Sequence, residues 1–222
     1  MDRTGSSRLG LLIAVEGIDG AGKTTQVRLL AEALRRLRQH VITSKEPTDG
    51  PWGRKIRESA AAGRLSLEDE LEAFVNDRID HVRTVIRPAL DAGEIVILDR
   101  YFYSTIAYQG SRGRDIAGLK ASMEGIAPIP DIVFLLDVDP EEGIRRISES
   151  RKEQPNAFEK VETLTRVREA FHAIREPRIV TIDGSRPVED VHTAVIAELS
   201  RRATGPMRRL YGLEPVRESA AR

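Results

Sequence analysis

The chain has 222 residues, no cysteine, and 35 Lys and Arg against 35 Asp and Glu. Zero net formal charge argues against a dedicated nucleic-acid binder, the lack of cysteine excludes disulfides and Cys-ligated metal, and no stretch is long and apolar enough to span a bilayer. The length suits one α/β domain with a small mobile insert, and residues 1–10 are polar without a signal-peptide core, so the expectation is a cytoplasmic protein.

Residues 11–15, Leu-Leu-Ile-Ala-Val, read as a short buried parallel strand. Glu16-Gly17-Ile18-Asp19-Gly20-Ala21-Gly22-Lys23-Thr24-Thr25-Gln26 follows. Gly17, four residues, then Gly22-Lys23-Thr24 is the phosphate-binding loop pattern. Its glycines let the backbone wrap close, so that amide N–H groups point at phosphate oxygens. Lys23 would reach the outer phosphates, and the Thr24 hydroxyl would hold Mg²⁺. Val27, Leu29, Leu30, Ala33, Leu34 and Leu37 recur at helical spacing, and that helix adds its positive N-terminal end to the same anion. The alternative is a glycine-rich turn that binds nothing, but strand, loop, helix is the context the motif requires.

Residues 41–44 form a second strand, followed by the turn formers Lys45-Glu46-Pro47-Thr48-Asp49-Gly50-Pro51. Ligands gather at the carboxyl ends of parallel strands, which places Lys45 and Glu46 on the rim of the phosphate loop; a solvated turn is the alternative. Residues 52–62 suit a short helix ending near Gly63. Ser66-Leu67-Glu68-Asp69 resembles a capping box and opens a long helix to about residue 90, with Leu67, Leu71, Phe74, Val75, Val82, Val85 and Ile86 apolar. Arg78 lies four residues after Phe74 and shares its face. That fits a helix lining a pocket, Phe on a ring and Arg bonded to it; it also fits a core Phe beside a surface Arg.

The third strand, residues 95–98, ends in Asp99-Arg100-Tyr101. An acid at a strand tip beside a phosphate loop suits a Mg²⁺-linked carboxylate, with Arg100 a second phosphate clamp; a salt bridge closing the strand is the alternative. Ser104, Thr105, Tyr108 and Gln109 form a polar, aromatic strip suited to a ligand. Residues 116–126 suit a helix of weak periodicity, and residues 131–138 an apolar, central fourth strand. Asp139-Pro140-Glu141-Glu142 opens a helix carrying Arg145, Arg146, Arg151 and Lys152. Gln154-Pro155-Asn156 interrupts it, and residues 158–174 resume as helix. This basic hairpin reads as a lid over the rim or as two solvated helices. A fifth strand at 178–182, the turn Asp183-Gly184-Ser185-Arg186-Pro187, a helix at 188–201 and a loosely held tail complete the chain.

Together these residues resemble the thymidylate kinase family over about residues 11–200. The resemblance rests on the loop at 16–26, Lys45-Glu46-Pro47, Phe74 with Arg78, Asp99-Arg100-Tyr101 with Ser104, Ala107-Tyr108-Gln109, and Leu136-Asp137-Val138-Asp139-Pro140-Glu141. It implies an α/β P-loop kinase fold over residues 11–203, with a five-stranded parallel sheet, helices on both faces and a helical lid at about 148–160, between tails at 1–10 and 204–222. It implies phosphorylation of dTMP to dTDP with ATP and Mg²⁺, in dTTP biosynthesis, by a homodimer. Another nucleoside monophosphate or deoxynucleoside kinase, or a non-catalytic nucleotide-binding module, are the alternatives.

By position, the resemblance implies ATP phosphates on Gly17, Ile18, Asp19, Gly20, Ala21, Gly22, Lys23, Thr24 and Thr25. Arg146 would stack on adenine beside Gly184 and Ser185. Phe74 would stack on thymine, Arg78 would hydrogen-bond to it, and Thr105 would face it. Asp19 would sit near the sugar 3′-hydroxyl, and Tyr108 would fill the place of a ribose 2′-hydroxyl. Arg100 and Lys45 would hold the dTMP phosphate, with Glu46, Pro47, Ser104 and Gln109 in the same site. Thr24 and Asp99 would serve Mg²⁺, the latter directly or through water. Two departures stand out. Lys45 occupies a position where the family usually has Arg, and Lys cannot make the planar two-pronged contact. Gly20 occupies a position where one branch carries a basic residue, so the chain resembles the branch whose lid supplies that charge, here Arg151 or Lys152.

Overall fold

The structure, a computed structural model, describes residues 10–151 and 160–202. Lys152, the Arg151 side chain, most of the expected lid and nearly all of both tails lie outside the described residues. Strands β1 (Leu11–Glu16), β2 (Val41–Lys45), β3 (Ile95–Asp99), β4 (Ile132–Asp137) and β5 (Ile179–Asp183) form one parallel sheet in the order β2-β3-β1-β4-β5. Helices cover the sheet, which is why the inner strands are unbroken apolar runs: β1 is buried throughout, while β2 and β5, at the edges, alternate. Leu12, Ile13, Ala14, Val96, Ile97 and Leu98 are sealed from solvent, each large side chain contributing about 1.5–3 kcal/mol by burial.

The strand order changes direction at β1, and a crevice opens at the carboxyl edge of such a switch point. Register puts Lys45, Asp99 and Val15 in one row across β2, β3 and β1, so the loops after all three share a rim.

Helix α1 (Lys23–Arg36) springs from the glycine-rich loop and buries Val27, Leu30, Ala31 and Leu34. Leu37, expected on that face, caps the helix instead and is 48% exposed. Helix α2 (Pro51–Ala62) starts on proline and ends at Gly63, whose φ of 116° favours glycine. Helix α3 (Leu67–His81) is capped by Ser66, which accepts from Asp69 N at 3.1 Å. The long helix expected to run unbroken to residue 90 is interrupted by a π-helical stretch, Val82–Ile86, before α4 (Arg87–Asp91). Pro88 has no N–H and crowds the preceding turn, so the ladder widens and Arg87 N bonds back to Val82 O.

Helices α5 (Phe102–Gly110), α6 (Ile116–Ile126), α7 (Pro140–Arg151), α8 (Val161–Ala173) and α9 (Val188–Arg202) complete the fold. Helix α8 starts at Val161, with Lys160 extended at φ −104° and ψ 138°; the expected start at 158 lies outside the described residues. Among the described residues, no helix is long and apolar enough to cross a membrane.

Candidate active site

The loop between β1 and α1 folds tightly against the β4–α7 junction. Gly17 has φ 142°, and a Cβ there would lie 2.5 Å from Leu136 O. Gly20 has φ 79°, and a Cβ there would lie 2.2 Å from Gly143 O. Both positions therefore exclude a side chain. The Gly20 contact gives a physical reason why this loop carries no basic residue at that point: the backbone of α7 occupies the space. Lys23 is buried, and its Nζ donates to Ile18 O at 2.6 Å, within its own loop. Burial first, and the Arg100 charge second, bring its ammonium down to about 8. Thr24 stands exposed at the rim and donates its hydroxyl to Asp99 Oδ2.

Arg100 leaves β3 in the left-handed region at φ 68°, held by Arg100 N donating to Val15 O at 3.0 Å. That turn swings its side chain back under the loop. Nη2 donates to Asp19 Oδ1 at 2.6 Å, and Nη1 to Gly17 O at 3.1 Å and Ser104 Oγ at 3.0 Å. Tyr108 Oη donates to Asp19 Oδ2 at 2.7 Å. Burial pushes the Asp19 carboxyl up, but Arg100, Lys23 and the Tyr108 hydroxyl outweigh it and hold the group at about 2. Burial pushes the Tyr108 hydroxyl well up, so it remains a donor.

These groups open on a cavity of about 730 Å³ that also takes in Lys45, Glu46, Pro47, Phe74, Arg78, Thr105, Arg146 and Gly184. Its polar floor is a buried chain. Arg78, 1% exposed, gives Nε at 3.0 Å and Nη2 at 2.5 Å to Glu46 Oε2, Nη2 also to Thr105 Oγ1 at 3.0 Å, and Nη1 to Met123 Sδ at 2.9 Å. Glu46 Oε1 lies 3.0 Å from His81 Nδ1, and His81 Nε2 lies 2.8 Å from Ser44 Oγ. Burial raises the Glu46 carboxyl, but Arg78 and His81 outweigh it and keep it below the usual carboxylate range. The alternative of a surface Arg78 is thereby excluded. Helix α3 brings Phe74 and Arg78 to the lining of one cavity.

At the other end, Arg146 on α7 donates to Gly184 O at 2.9 Å and Ser185 O at 3.3 Å, with Nε on Glu142 at 2.6 Å. The helix and the turn expected to flank one planar group thus touch. Ala21, Gly22 and Thr25 line the cavity; Gly17, Ile18, Ser185 and Gln109 do not. Gln109 is buried, gives its amide to Glu70 at 2.8 Å, and its Oε1 has no hydrogen-bond partner among the described residues. Lys45 is half-exposed, its Nζ 3.4 Å from Asp49. Sequence reasoning missed Arg57 on α2, which lines the cavity and donates to Pro47 O at 3.0 Å and Thr48 O at 2.8 Å. The loop at 45–51 already lay on the rim, so the first turns of the helix after it were the place to look.

Thr24 and Asp99 offer only oxygen ligands, touch each other, and stand beside Lys23. Among the described residues, no group of three or more His, Cys, Asp or Glu could hold a metal without help. That donor set fits a hard divalent ion that completes its shell with water and phosphate oxygens.

A model of the thymidylate kinase family matches residues 15–195. The chain belongs to the thymidylate kinase family. A thymidylate kinase of Xanthomonas campestris pv. campestris (strain B100) is 49% identical over 197 residues, covering 87% of this chain and 86% of that one. One of Xanthomonas euvesicatoria pv. vesicatoria (strain 85-10) is 48% identical over 200 residues, 88% of each chain. One of Xylella fastidiosa (strain M12) is 46% identical over 187 residues, 84% of this chain and 85% of its own. The matched residues take in the end of β1, strands β2 to β5 and residues at both ends of the cavity, and not the phosphate loop alone.

Proposed function

We propose that this chain transfers the γ-phosphoryl group of ATP to the phosphate of dTMP, giving dTDP for nucleotide biosynthesis. The observation that carries the reading is the meeting of two half-sites at Arg100. The phosphate loop lies on one side of it, and the Phe74, Arg78 and Tyr108 cavity on the other. As a thymidylate kinase, the chain is an ATP-dependent nucleoside monophosphate kinase.

In this reading an oxygen of the dTMP phosphate forms the new bond to the γ-phosphorus. The bond to the β,γ-bridging oxygen breaks in line, and ADP leaves with the electron pair. The acceptor oxygen is already ionised near neutral pH, so no strong general base is needed. Catalysis is positioning and charge neutralisation. Lys23 moves from Ile18 O to the outer phosphates of ATP, whose negative charge holds its ammonium protonated. Arg100 and Arg57 hold the acceptor phosphate, with Lys45 near its entrance. Asp19, fixed ionised, orients the sugar, while Tyr108 closes the space beside it. Phe74 stacks on thymine and Arg78, pinned by Glu46, reads its edge beside Thr105. Arg146 and the Gly184-Ser185 turn take adenine. Thr24 and Asp99 would hold Mg²⁺, which supplies neutralisation of phosphate charge when bound. The lid cations Arg151 and Lys152, a homodimer and a cytoplasmic location belong to the same proposal.

An acceptor panel tests it: ADP release with ATP and Mg²⁺ against dTMP, dUMP, dCMP, AMP and thymidine. The expected result is fastest turnover with dTMP. Faster turnover with dCMP, AMP or thymidine would overturn the assignment of thymidylate as acceptor.

A further inference from the structure

Glu16, the last residue of β1, is fully buried, and the chemistry above gives it no task. Its carboxylate accepts three hydrogen bonds, all from the residues that open α5. Tyr101 N donates to Oε1 at 2.8 Å, Ser104 N to Oε1 at 3.2 Å, and Ser104 Oγ to Oε2 at 2.6 Å. A helix start of this kind is ordinarily capped by a Ser, Thr, Asp or Asn next to it in the chain. Here Tyr101 occupies the capping position and makes no side-chain cap bond, and a carboxylate from another strand does the work.

That carboxylate also sets the direction of a proton. Ser104 Oγ gives its only hydrogen to Glu16, so its lone pairs are left facing Arg100 Nη1, which donates to it at 3.0 Å. Arg100 thus donates in both directions: through Nη1 to Ser104, which passes its own hydrogen on to Glu16, and through Nη2 to Asp19. Burial pushes the Glu16 carboxyl up to about 7, against the pull of Ser104, Arg100, the Tyr101 amide and Lys23. Three donors nonetheless converge on this buried carboxyl, and one of them, the Ser104 hydroxyl, is also the acceptor of Arg100.

We infer that Glu16 is a positioning residue: through Ser104 it fixes the direction in which the Arg100 guanidinium meets the acceptor phosphate. The inference rests on the reading of Arg100 as phosphate clamp. Glu16→Gln is the diagnostic variant. Its amide oxygen must face the two backbone N–H groups, so its NH₂ faces Ser104 Oγ. Two donors then converge on one hydroxyl whose own hydrogen has lost its acceptor, so Ser104 must turn to find another and its bond to Arg100 is disturbed.

The test is a double-mutant cycle on the full chain: wild type, Glu16→Gln, Arg100→Ala and the double variant. Steady-state dTMP phosphorylation is measured with each substrate varied, beside thermal melting. Glu16→Gln is expected to lower kcat/KM for dTMP about 10–100-fold, the range for outer partners of a site residue, with KM for ATP near wild type. In the Arg100→Ala background the same change is expected to add less than about twofold. Losses that multiply in the double variant, or a parallel rise in both KM values with a lowered melting point, would overturn the inference. Wild-type kinetics in Glu16→Gln would do the same. Should Glu16→Gln fail to fold, Ser104→Ala must show the same split and the same absorption by Arg100→Ala, or the inference fails. Wild-type kinetics in Arg100→Ala would instead overturn the clamp reading itself.

Discussion

Arg100 reaches from the end of β3 to Asp19 in the phosphate loop, Nη2 to Oδ1 at 2.6 Å. This bond ties the strand that would carry the acceptor clamp to the loop that would carry the donor. In the proposed reaction it is also the bond an incoming acceptor phosphate would compete with, because Nη2 would be shared between Asp19 and that anion. Tyr108 Oη, 2.7 Å from the far oxygen of Asp19, would hold the carboxylate through that exchange.

The pair should be visible in acid. Asp19 is held at about 2, below its ordinary 3.8, so the stability it contributes is present above about pH 4 and lost as pH falls through about 2. For Asp19→Asn the deficit relative to wild type is expected to be on the order of 2 kcal/mol at neutral pH, closing toward pH 2. Urea unfolding at several pH values reads it. A gap constant with pH would mean that the pair is not linked to folding. Glu16 has the opposite sign. Pushed up to about 7 by burial, it contributes stability that is present below its ordinary 4.5 and lost as pH rises through about 7.

Arg78 and Glu46 form an ion pair from which solvent is almost excluded. Arg78→Met should destabilise by about 3–5 kcal/mol, because Glu46 is left charged and buried with only His81 for support. Adding Glu46→Gln should recover part of that loss. Two independent, additive losses in chemical denaturation would refute the pairing as the cause.

Gly20 should not accept the cation that one branch of the family carries there. Gly20→Arg combines a φ of 79° with a Cβ placed 2.2 Å from Gly143 O. A loss of at least about 2 kcal/mol is expected, with slower turnover. Wild-type melting in this variant would show that α7 yields easily.

Much of this was legible in the sequence. The phosphate loop, the rim of Lys45 and Asp99, the five strands and the shared face of Phe74 and Arg78 follow from local pattern, and local pattern is what buried parallel strands and loop-helix junctions impose. What was not legible depends on partners distant in the chain. The burial of Arg78 is decided by Glu46, 32 residues away, and the task of Glu16 by Ser104, 88 residues away. The π-helical stretch could have been anticipated from Pro88, a local breaker inside an otherwise continuous pattern. Leu37 continues the helical spacing yet lies off the core, because spacing does not say where a helix stops touching it.

Arg57 and Lys45 can be ranked. Arg57 is anchored by two carbonyls and by Asp49 at 3.1 Å, whereas Lys45 has one long contact to the same Asp49. A pre-positioned fork loses less freedom on binding phosphate than a free ammonium does. Arg57→Ala should raise KM for dTMP at least about tenfold, the weight of one charge-assisted contact, and Lys45→Ala less than about threefold. The reverse order in initial-rate kinetics would assign the phosphate to Lys45.

The most direct measurement is ³¹P NMR of dTDP formation from ATP, Mg²⁺ and dTMP, with wild type and Arg100→Ala compared at equal folded concentration. The account predicts dTDP resonances with wild type and formation slowed at least about 100-fold in the variant, its melting transition still cooperative. Equal rates in the two proteins, or ATP consumed by wild type without dTDP, would contradict it.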